Sequence, residues 1–293
     1  MLEHNRIKLE QQLKEHGFEH ALNYLMETTR QGVRCAKTGK TDYTKPGRSR
    51  VGGDPDLPPT FAWPLTSDGK PMTFLVQLNM QDTAQHDANE WLPKTGMLSF
   101  FLGIDEPAYN IEHRVIWFDE AELLTVVRRE PPGETALEET YAGFDLAARP
   151  SLEPPNYAYM DEDQVESENA DYEDYEDLLF EIQDAGDDDI VQVFGYPTGQ
   201  HGDSEYEAAL MVLTGEPYEY SMDKALTKIA AHFGGDKTKA KQEVADMLML
   251  LELETEDDVG FCWWDAGVLH FFIRKEDLIA GRFDRTYCSL YSS

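Results

Sequence analysis

The chain has 293 residues and carries 57 Asp and Glu against 25 Lys and Arg, a formal net charge of −32. So acidic a chain argues against gripping nucleic acid or an anionic membrane, because phosphate binding needs cationic side chains. With 41% hydrophobic and 11% aromatic residues, general disorder is excluded as well.

No apolar run approaches the ~20 residues of a membrane helix. The opening MLEHNRIKLEQQ lacks the apolar core of a secretory signal, so a cytoplasmic protein is expected. Cys35, Cys262 and Cys288 are too few and too scattered for a disulfide framework or a CxxC metal site.

In chain order, Ile7, Leu9 and Leu13 fall close to helical spacing and Gly17 can end that helix; Ala21, Leu22, Leu25 and Met26 form a second stripe. Residues 1–31 are therefore read as amino-terminal helices. From Gly32 to Pro59 the chain is rich in Gly, Pro, Thr and basic residues and is predicted to be a loop. Strands are predicted at 72–80, 96–102, 114–118 and 123–129. In the first, Phe74, Val76, Leu78 and Met80 alternate with Thr73, Leu75, Gln77 and Asn79.

Between Arg149 and Lys224 there is no Lys or Arg, against twenty-two Asp and Glu. Residues 151–189 are read as an acidic insert, exposed and partly mobile, with a short amphipathic helix around Tyr172, Tyr175, Leu178, Leu179 and Phe180. Strands are predicted at 190–195 and 208–213. A helix follows from Ser221 to Phe233, with Leu226, Ile229, Ala230 and Phe233 on one face and Gly234–Gly235 as its stop. A further helix is expected at about 236–245, with a continuation into the following apolar stretch left open, and strands near 259–264 and 268–273.

Two stretches read alike. Val51-Gly52-Gly53-Asp54-Pro55 leads to Phe74-Leu75-Val76-Gln77-Leu78-Asn79 and then to Gly96-Met97-Leu98-Ser99-Phe100-Phe101. Val193-Phe194-Gly195-Tyr196-Pro197 leads to Met249-Leu250-Leu251-Glu252-Leu253-Glu254 and then to Gly267-Val268-Leu269-His270-Phe271-Phe272. The expected fold is α+β: two related units, about 32–130 and 190–293, around mixed or mainly antiparallel sheets with flanking helices.

The same residues carry a resemblance. Gly52-Gly53-x-Pro55-x-Leu57-Pro58, Trp63-Pro64, Phe74-Leu75-Val76-Gln77-Leu78 and Leu92-Pro93-x-x-Gly96-x-Leu98-x-Phe100-Phe101 resemble the YwqG-like family. Gly195-Tyr196-Pro197, and Asp265-Ala266-Gly267-Val268-Leu269-x-Phe271-Phe272-Ile273 with Asp277-Leu278, are similar to its carboxy-terminal half. The resemblance implies a single bacterial α+β domain of residues 1–293 with internal duplication and no established activity. It also implies a distant likeness to the programmed cell death protein 2 group, linked to ribosomal-protein chaperoning, and some members lie near polymorphic-toxin genes. Glu252 stands where the family usually has Gln, and Trp264 where a Gly commonly precedes the Asp.

No catalytic signature occurs. Gly52-Gly53 fits neither a P-loop nor a dinucleotide fingerprint, and reads as a tight turn. The eight His form no HExxH or His-x-His pair, and Asp161-x-Asp163 lacks the rest of a calcium loop. No metal, cofactor or catalytic residue is expected. Gln77 and Glu252 interrupt apolar strands at equivalent repeat positions and need hydrogen-bond partners, expected in part from a peptide or ligand between the units. Arg48 and Arg50 suit an anion or carboxylate.

The candidate binding residues are thus Arg48, Arg50, Gly52, Gly53, Trp63, Gln77, Glu252 and Asp265, with Asp171, Glu173, Asp174, Glu176 and Asp177 as an acidic partner surface. The expected function is a non-enzymatic protein-binding or chaperone-like module whose partner is a basic protein or peptide. The alternatives are an immunity-type inhibitor of a basic toxin or nuclease, and an enzyme with an unrecognised carboxylate or metal site.

Overall fold

Strands that bury both faces read as nearly continuous apolar runs, and those that bury one face alternate. Both patterns are realised here in a single large sheet. The computed structural model describes residues 3–292 except 168, 169, 185, 187 and 200. Helices α1 (Glu3–Glu15) and α2 (Leu22–Thr28) lead into strands β1 (Arg30–Lys40), β2 (Arg50–Val51), β3 (Asp56–Leu57) and β4 (Thr73–Asn79). A short α3 (Met80–Thr83) precedes β5 (Met97–Leu102) and β6 (His113–Phe118); α4 (Glu120–Leu123), β7 (Val127–Arg128) and β8 (Phe144–Glu153) follow. Then come α5 (Glu162–Val165), α6 (Tyr172–Gln183), β9 (Asp189–Val193), α7 (Ser204–Thr214), α8 (Met222–His232) and α9 (Lys237–Ala245). The last described elements are β10 (Met247–Glu254), β11 (Val268–Arg274), α10 (Lys275–Ile279) and β12 (Thr286–Tyr291).

Ten strands form one antiparallel sheet in the order β12-β11-β10-β9-β1-β8-β2-β4-β5-β6, and β3 pairs with β7 in a separate ribbon. The two ends of the order nearly meet. Ile111 N donates to Cys288 O at 2.9 Å and Leu290 N to Ala108 O at 2.8 Å, so the sheet is an almost closed barrel. Closure hides sheet edges that would otherwise offer unpaired N–H and C=O groups. Phe100 and Phe271 meet inside, their rings 5.1 Å apart and edge to face. Outside, α7–α9 cover one end of the sheet through Met249, Phe272 and Tyr287, while Trp63, Phe74 and Phe101 pack in a layer with Leu57 and Val126.

The two stretches that read alike form corresponding strand pairs. In β4–β5 the register shifts between Phe74 and Val76, leaving Leu75 as a bulge, with Gln77 opposite Ser99. In β10–β11 it shifts between Met249 and Leu251, leaving Leu250, with Glu252 opposite His270.

Several expectations are corrected. The loop foreseen from Gly32 to Pro59 contains β1, a central strand, and β8 beside it was not foreseen at all. β1 is polar and basic, and β8 holds Pro150 opposite Val33, so neither shows an apolar alternation. The sheet also runs across the expected units: β1 pairs with β9 of the second unit and with β8, which lies between the two.

Residues 208–213 are helical, within α7; a six-residue apolar run fits either period, and Gly215 at φ 71° closes the helix. Of 123–129 only Val127–Arg128 is strand, because Asp119 and Glu122 form a capping box that starts α4. Near 259–264 there is only a bridge between Glu256 and Phe261.

The acidic stretch is largely built in: residues 151–153 finish β8, and α6 buries Tyr175, Leu178 and Ile182 in a cluster with Leu9, Leu13 and Phe18. Every strand pair in the ten-stranded sheet is antiparallel, which decides between the mixed and the mainly antiparallel arrangements expected.

Because Phe271 fills the barrel interior, Phe271→Ala should cost about 3–5 kcal/mol in urea unfolding. A loss below about 1 kcal/mol would show that the interior can collapse around the gap.

Candidate functional site

The strand period that sends Val76, Leu78, Leu251 and Leu253 into the barrel turns Gln77 and Glu252 outward. Both are buried there by the loop that leaves the neighbouring strand. Asp56 N donates to Gln77 Oε1 at 2.8 Å, and Thr198 N donates to Glu252 Oε2 at 2.8 Å. Each is also opposite the strand residue that precedes its loop: Arg50 faces Gln77, and Gln192 faces Glu252. The first partners of this pair are the chain's own loops, on the outer face of the sheet.

In the first half the space over Gln77 is full. Arg50 is 0% exposed; its Nη2 lies 3.0 Å from Asp56 Oδ2, Nη1 donates to Asp54 O at 3.1 Å, and the guanidinium lies over the Tyr43 ring at 4.8 Å. It is thus committed internally and is not open to an external anion. Gln77 Nε2 donates to Arg48 O at 2.7 Å, while the Arg48 side chain itself is half exposed. Gly52 and Gly53 stand at φ 63° and 61°, and a Cβ on Gly53 would come within 2.1 Å of Tyr43 Oη. The turn reading holds: only glycine fits. Trp63 is buried in the adjacent apolar layer, donating to Met72 O at 2.9 Å. Asp265 is exposed beside Ser292.

In the second half the corresponding space is a cleft of about 450 Å³. Its floor is Arg34, Gln192, Glu252 and Glu254 from the sheet, and one wall is Tyr172, Glu176 and Phe180 of α6. Arg34 donates to both oxygens of Glu153 at 2.8 and 2.9 Å and to Gln192 Oε1 at 2.8 Å. Burial opposes its charge, but Glu153 more than restores it.

Glu252 is 3% exposed and accepts from Thr198 N and Oγ1 and pairs with His270 Nε2 at 2.8 Å. Burial raises its carboxyl, yet His270 and Thr198 reverse this and hold it below the ordinary range. Glu254, two residues on, has no side-chain hydrogen bond or ion pair among the described residues. Burial first, and then the like charge of Glu252, push its carboxyl up to about 7.

The acidic surface divides by role. Asp171 and Asp174 cap α6 reciprocally, at 3.2 and 3.1 Å, so they hold the helix start. Glu176 looks into the cleft and accepts from Tyr172 Oη at 2.9 Å. Glu173 and Asp177 face solvent. The structure thus brings Glu252 and Glu176 into one site and Arg50, Gln77, Gly52 and Gly53 into another.

Arg34, Glu153, Gln192, Thr198, Glu254 and His270 were missed. Glu254 carried a signal, being one strand period from Glu252; Arg34 carried none, because its strand reads as a loop.

Among the described residues, five carboxylates, Glu153, Glu176, Asp189, Glu252 and Glu254, line the cleft against one cation, Arg34. Fold and site together define a mixed α+β domain, a nearly closed ten-stranded barrel-like sheet with flanking helices and an anionic cleft on its outer face. The chain belongs to the DUF1963 family, a domain of unknown function, whose model matches residues 49–291. No curated protein shows significant similarity to it. Among the described residues no group of three or more His, Cys, Asp or Glu could hold a metal ion, and no helix is long and apolar enough to cross a membrane.

Glu254 gives a pH signature. Its folded pKa of about 7 lies above the ordinary 4.5, so the folded state binds this proton more tightly than the unfolded chain. Its contribution to stability is full below about pH 4.5 and is lost as pH rises to about 7. Glu254→Gln should therefore stabilise the protein at pH 8 by about 1–3 kcal/mol, and by almost nothing at pH 4.5. Urea titrations at the two pH values check this; equal effects at both would place Glu254 in contact with water.

Proposed function

We propose that the chain is a non-enzymatic binding module, chaperone-like in that it holds a basic segment of another polypeptide in the cleft beneath α6. The observation that carries this is Glu254, a half-buried carboxylate with no side-chain hydrogen bond or ion pair among the described residues, opening on a cleft where the buried acids Glu153, Asp189 and Glu252 are paired. A cationic side chain placed beside it would ionise it and relieve that mismatch. The acids of α6 extend the same field beyond the cleft. At 0.1 M salt it reaches about 10 Å, enough to steer a cationic chain before contact.

Two finer readings go with this one. Matching bulges, registers and loop pins support an ancient duplication of the two strand sets. The ordered motifs from Gly52 to Asp277 support placing the chain among the YwqG-like members of its family.

Fluorescence anisotropy with a labelled Gly-Ser peptide carrying both Lys and Arg tests the reading. Binding should weaken as salt is added and strengthen as pH rises from 6 to 8, because the cation needs ionised Glu254. Glu254→Gln should remove the pH step. No binding at low salt, or a pH step that survives the substitution, would overturn the proposal.

Stopped-flow mixing tests the steering. Replacing Asp171, Glu173, Asp174, Glu176 and Asp177 with their amides should slow association, while the melting temperature stays nearly unchanged because Asn caps a helix as well as Asp does. An unchanged association rate would confine the acids of α6 to solubility.

A further inference from the structure

The two halves present the same frame with different contents. Arg50 and Gln192 sit at the same register, opposite Gln77 and Glu252, each just before a loop pinned by one backbone N–H. Resting on the binding reading above, we infer that the cleft takes a guanidinium, an arginine side chain of the partner, and that Arg50 is its internal counterpart.

In the first half the chain supplies its own cation. Arg50 is wholly buried, paired with Asp56 and laid over Tyr43. Acid and guanidinium balance, and the space is filled. In the second half that register position holds Gln192, shorter and neutral, donating to Phe194 O at 2.9 Å. The acid has moved to the strand as Glu252, and Glu254 adds another. Arg34 is consumed by Glu153. At that register position the second half lacks the planar cation that Arg50 supplies in the first, because the guanidinium of Arg34 comes from β1 and is held by Glu153 and Gln192. The cleft is open where that cation would lie.

The walls favour a guanidinium over an ammonium. Tyr157, Tyr172 and Tyr196 line the cleft, and one face of Tyr196 already carries the Arg30 guanidinium at 3.7 Å. A guanidinium stacks on such rings and forks onto carboxylates, and it sheds water more cheaply than the compact, strongly hydrated ammonium of lysine.

The test compares three labelled Gly-Ser peptides of identical length, carrying arginine, lysine or neutral citrulline at the same positions, on the intact chain. The arginine peptide should bind about tenfold tighter than the lysine peptide, and the citrulline peptide not measurably. Equal arginine and lysine affinities would overturn the guanidinium assignment while leaving the binding module standing. Failure of both would overturn the module as well. Gln192→Arg adds a check in cis: the new side chain should occupy the cleft as Arg50 does and suppress arginine-peptide binding, with a cooperative melt retained. A folded Gln192→Arg protein that binds the arginine peptide like the parent would overturn the counterpart role of Arg50.

Discussion

One backbone N–H, offered by a loop to a polar side chain on an otherwise apolar strand, sets the geometry of both halves. A buried amide or carboxylate left without partners costs about 1–3 kcal/mol or more, so Gln77 and Glu252 each need their loop in place. The loop is fixed where Asp56 and Thr198 donate, and what precedes it on the neighbouring strand, Arg50 or Gln192, is fixed with it. From there the halves diverge. Arg50 closes one space, and Gln192 leaves the other open.

How much of this could be read beforehand depends on which strands carry it. β4, β5, β10 and β11 were legible because strands covered on both faces must be apolar, and their one polar residue stood out as Gln77 or Glu252. α8 was legible from its single buried stripe of Ala225, Leu226, Ile229 and Ala230. β1 and β8 were not, because tertiary pairing forms them against local preference: Arg34 and Lys37 sit in one, Pro150 in the other. The cleft fell with them. Arg34 and Glu153, which make its floor ionic, come from those two strands, so only Glu252 and Glu176 could be named in advance.

The charge of the chain also acquires structure. The acidic window is tethered by an apolar stripe, Tyr175, Leu178 and Ile182, that docks on the amino-terminal helices. Along α6, repulsion among the carboxylates is tolerated because they point outward while the stripe points in. Asp171 and Asp174 cap α6, and Glu153, Glu176 and Asp189 line the cleft. The same segment is thus scaffold on one face and field source on the other.

The place of β1 bears on how the protein is made. Arg30 pairs with Glu153 and Val33 with Val193, so this early strand has no sheet partner until far later parts of the chain exist. During synthesis it leaves the ribosome first among the strands and must wait, and pairings of such long separation are slow to form. An apolar strand kept waiting would invite association with other nascent chains. Arg30, Arg34, Lys37 and Lys40 keep this one hydrated and mutually repelling until β8 and β9 arrive with Glu153 and Asp189. The polarity that disguises β1 as a loop is what lets it remain single during translation.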